Sequence, residues 1–114
     1  MIVQETDIER AEALVLIEII EYIPNSVVSK TVMKKLTGSI TVCSVDSGEG
    51  FGEKISPFDT FIQIIDGKAE IVIDGQSKML NTGEAILIPA HLSNSIKAHQ
   101  PFKMISTLIK SGYE

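Results

Sequence analysis

Few side chains in this sequence are equipped for chemistry. Two histidines, His91 and His99, and one cysteine, Cys43, are the whole supply of imidazole and thiol. A lone cysteine cannot close a disulfide within the chain or build a cysteine zinc site, and it suits a reducing compartment. No histidine stands near Cys43 in sequence and burial raises a thiol pKa, so Cys43 reads as a small buried hydrophobe rather than a nucleophile. His91 follows Pro89-Ala90, and histidine tolerates positive φ better than most residues, which gives it a turn role. His99 is an odd number of residues from Asn94, so on a strand the two point to opposite faces. Glu53 and Asp59 could pair with the Lys54 ammonium or, if desolvated, act as a general base; more simply they are solvated loop charges. The run Gly48-Glu49-Gly50-Phe51-Gly52 leads into a strand, so it lacks the helix N-terminus that a phosphate loop uses.

The elements that must position these groups are short strands. Ile, Val and Thr make up 33 of the 114 residues and there is no Trp, an enrichment in β-branched side chains that favours strands. Apolar segments are predicted as strands at Val27–Lys34, Ser39–Asp46, Phe61–Asp66, Lys68–Asp74, Ala85–Pro89, Ser93–His99 and Phe102–Lys110. Turn residues separate them, including Asp66-Gly67 and Asp74-Gly75, whose positive φ angles suit type I′ hairpins. Many short strands with regular turns and no helices between them give an antiparallel sandwich or barrel. Ahead of the strands, Thr6-Asp7-Ile8-Glu9 has the spacing of a capping box and predicts a helix over Asp7–Ile20, ended by Pro24. This divides the chain into an N-terminal helical arm, residues 1–26, and a barrel domain, residues 27–114.

Phe61–Ile65 and Ala85–Ile88 are apolar on both faces, which demands a second cover. A homodimer built sheet to sheet would supply it, with Val27, Val28 and Ile40 as interface candidates; the N-terminal helix is the other source. The net charge of −5, with no basic cluster, argues against nucleic acid as a partner. The longest apolar stretch, Ala13 to Ile23, is interrupted by Glu18 and Glu21 and too short to span a bilayer. The acidic start MIVQETDIER does not resemble a secretory signal. The expected location is the cytoplasm, with no membrane partner.

Two stretches are more specific. Gly48 to Gly67 reads GEGFGEKISPFDTFIQIIDG and Gly83 to Ala98 reads GEAILIPAHLSNSIKA. With Gly48, Gly67, Gly83 and Pro89 in register, they resemble the two motifs of the cupin superfamily, small β-barrel jelly rolls. More loosely, Val27 to Lys110 is similar to the small single-domain cupins of the cupin 2 conserved barrel family, which carry segments like VVSKT, SPFDTF and FKMISTLI. The resemblance implies an all-β fold, the cupin double-stranded β-helix. In that register the family's two first-motif histidines fall on Lys54 and Ser56, its glutamate on Thr60 and its second-motif histidine on Asn94. His91 stands where the family has Gly, and Ala98 where it has Asn.

Those replacements leave poor metal ligands. Hydroxyls and an amide oxygen are weak neutral donors, and a protonated lysine has no lone pair and repels a cation. The expectation is therefore a site with no metal and no cofactor. Lys54, Ser56, Thr60, Ile62, Asn94 and Ile96 would line the mouth of a barrel that binds a small polar or anionic metabolite. The alternative is a cupin-type enzyme, isomerase-like or dioxygenase-like. Its site would be metal-free around Lys54 and a nearby acid, or atypical and built on Glu53, Asp59 or His91. A third reading is a barrel filled by its own side chains, with no ligand at all.

Overall fold

The computed structural model describes residues 2–5 and 10–110, the side chains from residue 10 onward. Strands dominate, as the β-branched composition requires. They are β1 (Ile2–Glu5), β2 (Val27–Lys35), β3 (Gly38–Val45), β4 (Gly50–Ile55), β5 (Asp59–Ile73), β6 (Gln76–Asn81), β7 (Ala85–Ile88), β8 (Ser93–Lys97) and β9 (Phe102–Ile109). They form two sheets that share β5. One has the order β1-β2-β3-β9-β5-β7 and uses the first half of β5; the other has the order β6-β5-β8-β4 and uses the second half. Every pairing is antiparallel except β1 with β2. The chain is all-β and folds as a jelly-roll barrel.

The two Asp-Gly pairs, alike in sequence, behave differently. Asp74 and Gly75 take φ angles of 50° and 79° between Ile73 and Gln76, which face each other across β5 and β6. That is the expected hairpin. Asp66-Gly67 makes no turn: it lies inside β5, at a register shift against β9 between Ile64 and Asp66. Gly67 has a φ of 82°, and a Cβ there would come within 2.3 Å of the Pro101 carbonyl oxygen. The left-handed residue bends one long strand from the first sheet into the second, a use of glycine that bulges share.

The helix predicted over Asp7–Ile20 is not formed in its described part. Residues 10–20 are turns, bends and irregular backbone, and the capping box Thr6–Glu9 lies outside the described residues. Helical pairing would need the Ile17 carbonyl to accept from the Glu21 amide. Instead the Lys103 ammonium donates to the Ile17 carbonyl, and the Ser44 hydroxyl donates to the Glu21 carbonyl at 2.7 Å. Tyr22 Oη donates to Asp66 at 2.7 Å, and its ring centroid lies 4.9 Å from the Lys103 ammonium. Four β-branched residues between Val15 and Ile20 weaken helix propensity further. Tertiary contacts to the sheet thus replace the local ladder.

The residues that follow cover part of the first sheet's outer face. Ile20, 2% exposed, packs with Val28 and Val42 and against Ile65 and Ile105. Val28 is therefore interior to the chain, and its neighbour Val27 points the other way into the main core. Neither offers an interface, contrary to the expectation from their apolar character. The arm leaves Met33, Phe61, Leu87 and Ile109 on the same face exposed. Between the sheets the core runs from Val45, Phe102, Ala69 and Ile71 toward Ile62 and Ile96.

Candidate functional site

The barrel is filled at one end and open at the other. At the open end lies a cavity of about 350 Å³, at the small end of the usual range for ligand pockets. All six residues picked from the sequence (Lys54, Ser56, Thr60, Ile62, Asn94 and Ile96) line it. Register explains the convergence. On the second sheet Lys54 faces Asn94 and Phe51 faces Ile96, with a bulge between Phe51 and Lys54 that turns both inward although they are three apart. On the first sheet Thr60 and Ile62 are alternate residues of β5, opposite Leu108 and Ser106 of β9.

Four further hydroxyls line the cavity that sequence reasoning missed: Ser29 of β2, Ser39 and Thr41 of β3, and Ser106 of β9. Thr41 sits directly opposite Ser106, and Ser39 opposite Leu108. The available signal was the alternation in Ser39-x-Thr41-x-Cys43 and Met104-x-Ser106-x-Leu108, which places each set on one strand face. Among the described residues, the hydroxyls of Ser39, Thr41, Thr60 and Ser106 have no protein hydrogen-bond partner. Phe51, Phe58, Pro89, Ile88 and Met104 complete the wall with apolar surface.

Lys54 is the single charged residue in this lining. It is exposed rather than withdrawn from water, with its ammonium 5.7 Å from the centroid of the Phe51 ring, within reach of a cation–π contact. Among the described residues no carboxylate forms an ion pair with it. Glu53 is exposed, and Asp59 accepts a hydrogen bond from the Ala90 amide at 2.8 Å. His91 is an exposed turn residue with φ 70°, whose amide donates to the Ser56 carbonyl. Glu53, Asp59 and His91 do not line the cavity. His99 lies outside as well, with Nε2 2.6 Å from Glu70 Oε1 on the surface. Cys43 does line the cavity, its Sγ 3.8 Å from Ser29 Oγ; burial pushes its thiol pKa up, against smaller opposing effects of Ser29 and Lys54.

Asn94 has the least ordinary environment. It is 4% exposed, and its Nδ2 donates weakly to the Leu92 and Lys54 carbonyls at 3.3 and 3.4 Å. Its Oδ1 is buried with no hydrogen-bond partner. An acceptor in that state costs about 1–3 kcal/mol.

A metal does not fit this lining. Lys54, Ser56, Thr60 and Asn94 bring an ammonium, two hydroxyls and an amide to the cavity. Among the described residues no group of three or more His, Cys, Asp and Glu could hold an ion. A cation at this point would meet Lys54 with nothing ionised to offset the repulsion.

Comparison with solved structures places the fold. A protein of unknown function from Streptococcus pyogenes matches with 31% identity and a TM-score of 0.86, over 90% of each chain. A cupin superfamily protein from Desulfitobacterium hafniense matches with 27% identity and a TM-score of 0.85, over 90% of this chain and 94% of that one. The chain belongs to the cupin superfamily. A cupin 2 conserved barrel domain protein from Leptotrichia buccalis adds a third match, with 28% identity and a TM-score of 0.80, over 83% of this cupin and 46% of that chain. No family model matches this cupin, and no curated protein does. Among the described residues no helix is long and apolar enough to cross a membrane.

Proposed function

We propose that this cupin is a metal-independent binding barrel for a small polar or anionic metabolite. The observation that carries the reading is the lining of the cavity, in which, among the described residues, one ammonium without a carboxylate partner and several hydroxyls without a protein hydrogen-bond partner surround about 350 Å³ above an aliphatic floor. Such a surface favours oxygen-rich, uncharged or negative molecules and disfavours cations. Of the groups that the enzyme alternative names, Lys54 lines the cavity, whereas Glu53, Asp59 and His91 do not. A homodimer is part of the proposal, supported by the open outer face around Met33, Phe61, Leu87 and Ile109.

Thermal-shift measurements with a broad panel of small carboxylates, phosphates, sugars and amines test the function, run on protein with and without chelator treatment. Acidic or hydroxylated compounds should raise the melting temperature equally in both preparations. A stabilisation that appears only after a divalent metal is added back would overturn metal independence. No stabilisation by any compound would leave only a structural barrel.

A further inference from the structure

The two sides of the cavity differ in character, and strand register shows where the change falls. On the first sheet Ser29 of β2 and Ser39 and Thr41 of β3 line one side. Ser106 of β9 stands next to Thr41. Beyond β9 the wall turns apolar. Ser106 is paired on its other side with Ile62 of β5, and Ile88 of β7 follows at the edge, opposite Thr60. Phe58 and Pro89 extend this side. Thr60 is the one hydroxyl that β5 and β7 bring to the lining, while the Ser56 hydroxyl accepts from the Phe58 amide at 3.2 Å.

Lys54 belongs with the hydroxyl wall. It sits on β4, two strands from β5 in the second sheet, as β3 is two strands from β5 in the first. Because the sheets share β5, β4 lies over β3, and the Lys54 ammonium is close enough for its charge to act on the Cys43 thiol. One side of the cavity therefore offers an ammonium and a row of hydroxyls. The other, two strand spacings or about 10 Å away, is hydrocarbon.

We infer that the ligand of this barrel is an amphiphilic monocarboxylate, its carboxylate beside Lys54, Thr41 and Ser106 and a compact hydrocarbon body against Ile62, Ile88 and Phe58. The inference rests on the binding reading above and narrows it. An ionised carboxylate only accepts hydrogen bonds, which suits an ammonium flanked by hydroxyls free to donate. Lys54 is the single charge in the lining of a chain with net charge −5, so it matches one negative charge; a fully ionised phosphate brings two and meets the repulsion of the whole chain. A sugar acid carries hydroxyls along its length, and those on the β5–β7 side would leave water for apolar surface without a partner. Each CH2 group placed there instead adds to affinity.

NMR titrations of the full chain with acetate, butanoate, hexanoate, D-gluconate, hexan-1-ol and hexylamine test this. Affinity should rise from acetate to hexanoate, by up to about fourfold per CH2 group. Hexanoate should bind at least about fivefold more tightly than gluconate, hexanol or hexylamine, the size of one hydrogen bond, and shift the amides of Thr41, Ser106 and Ile62. Lys54→Met, at an exposed position, should bring hexanoate down to the level of hexanol. Thr41→Val should weaken hexanoate and leave hexanol unchanged. Gluconate binding as tightly as hexanoate, or no gain from butanoate to hexanoate, overturns the amphiphile inference and leaves the binding barrel standing. So does hexanol or hexylamine binding as tightly as hexanoate, or hexanoate shifting the arm around Leu14–Ile17 in place of the cavity strands. If no acid binds at millimolar concentration the inference is wrong, and the broader thermal-shift panel then decides the parent reading.

Discussion

The two ends of the barrel are built from the same strands and differ in what fills them. Along β3 the inward residues run Val45, Cys43, Thr41, Ser39; along β9, directly opposite, they run Phe102, Met104, Ser106, Leu108. At one end Val45 and Phe102 meet with no exposure at all. Two inward steps away Thr41 and Ser106, paired side by side on the same sheet, line the cavity instead. On this strand pair the change from core to cavity follows the change from Val45 and Phe102 to the smaller hydroxyl-bearing Thr41 and Ser106. The filled end is then the source of stability and the open end the source of recognition, and substitutions should separate the two.

The largest effect is expected at the filled end. Phe102→Ala removes a fully buried ring and should cost about 3–5 kcal/mol in urea unfolding, as large-to-small core changes do. Because Phe102 does not line the cavity, the fraction still folded should bind its ligand as the parent does. Gly67→Ala acts at the bend between the sheets. The left-handed backbone alone costs at least about 1–2 kcal/mol, and the contact with the Pro101 carbonyl adds to it; a fall in melting temperature measures both.

At the open end the signs should reverse. Lys54→Met should weaken ligand binding by about 1–3 kcal/mol, as for a charged hydrogen bond, with the melting temperature unchanged or higher. Ser106→Ala, which removes a hydroxyl with no protein partner among the described residues, should change stability by no more than about 0.5 kcal/mol. A large loss of stability from Ser106→Ala would mean that the two ends are not distinct. The smallest effect belongs to the surface outside both ends. Hydrogen bonds from Ser77 and His99 lower the pKa of Glu70. A depressed carboxylate contributes stability above its unfolded pKa and loses it as pH falls through the folded value. Glu70→Gln should therefore flatten the acid limb of the stability curve slightly, with ligand binding at neutral pH unaltered.

What could be read from the sequence divides along the same line. The spacing of Gly48, Gly67, Gly83 and Pro89 aligned β4, β5 and β8 well enough for Lys54, Thr60 and Asn94 to meet in one cavity. Ser39, Thr41 and Ser106 escaped because they lie on strands without such markers, where inward direction depends on a partner strand far along the chain. The same non-locality misled the reading of the arm. Thr6-x-x-Glu9 is a local signal, whereas the groups that hold the Ile17 and Glu21 carbonyls are 86 and 23 residues away. Asp66-Gly67 and Asp74-Gly75 carry the same two residues, and only the strands opposite them decide that one bends a strand while the other ends it. Asn94 lines the cavity, yet residue type alone leaves its amide free to offer either a donor or an acceptor. Its nitrogen faces backbone carbonyls and its Oδ1 is buried without a partner, an environment set by the packing around it.

The sharing of β5 by both sheets has a consequence for how the chain reaches this state. The second half of β5 finds β6 through the tight turn at Asp74-Gly75, a closure available within microseconds for a hairpin. Its first half must wait for β9, and β3 must wait for the same strand across most of the sequence. Loop-closure entropy is therefore met before those contacts form, which places this barrel among slow, high-contact-order folders. Until β9 docks, β3 and the first half of β5 each lack a neighbour that they have in the native sheet. The cavity, lined from β3, β9 and β5 together, is then one of the last features of the molecule to exist.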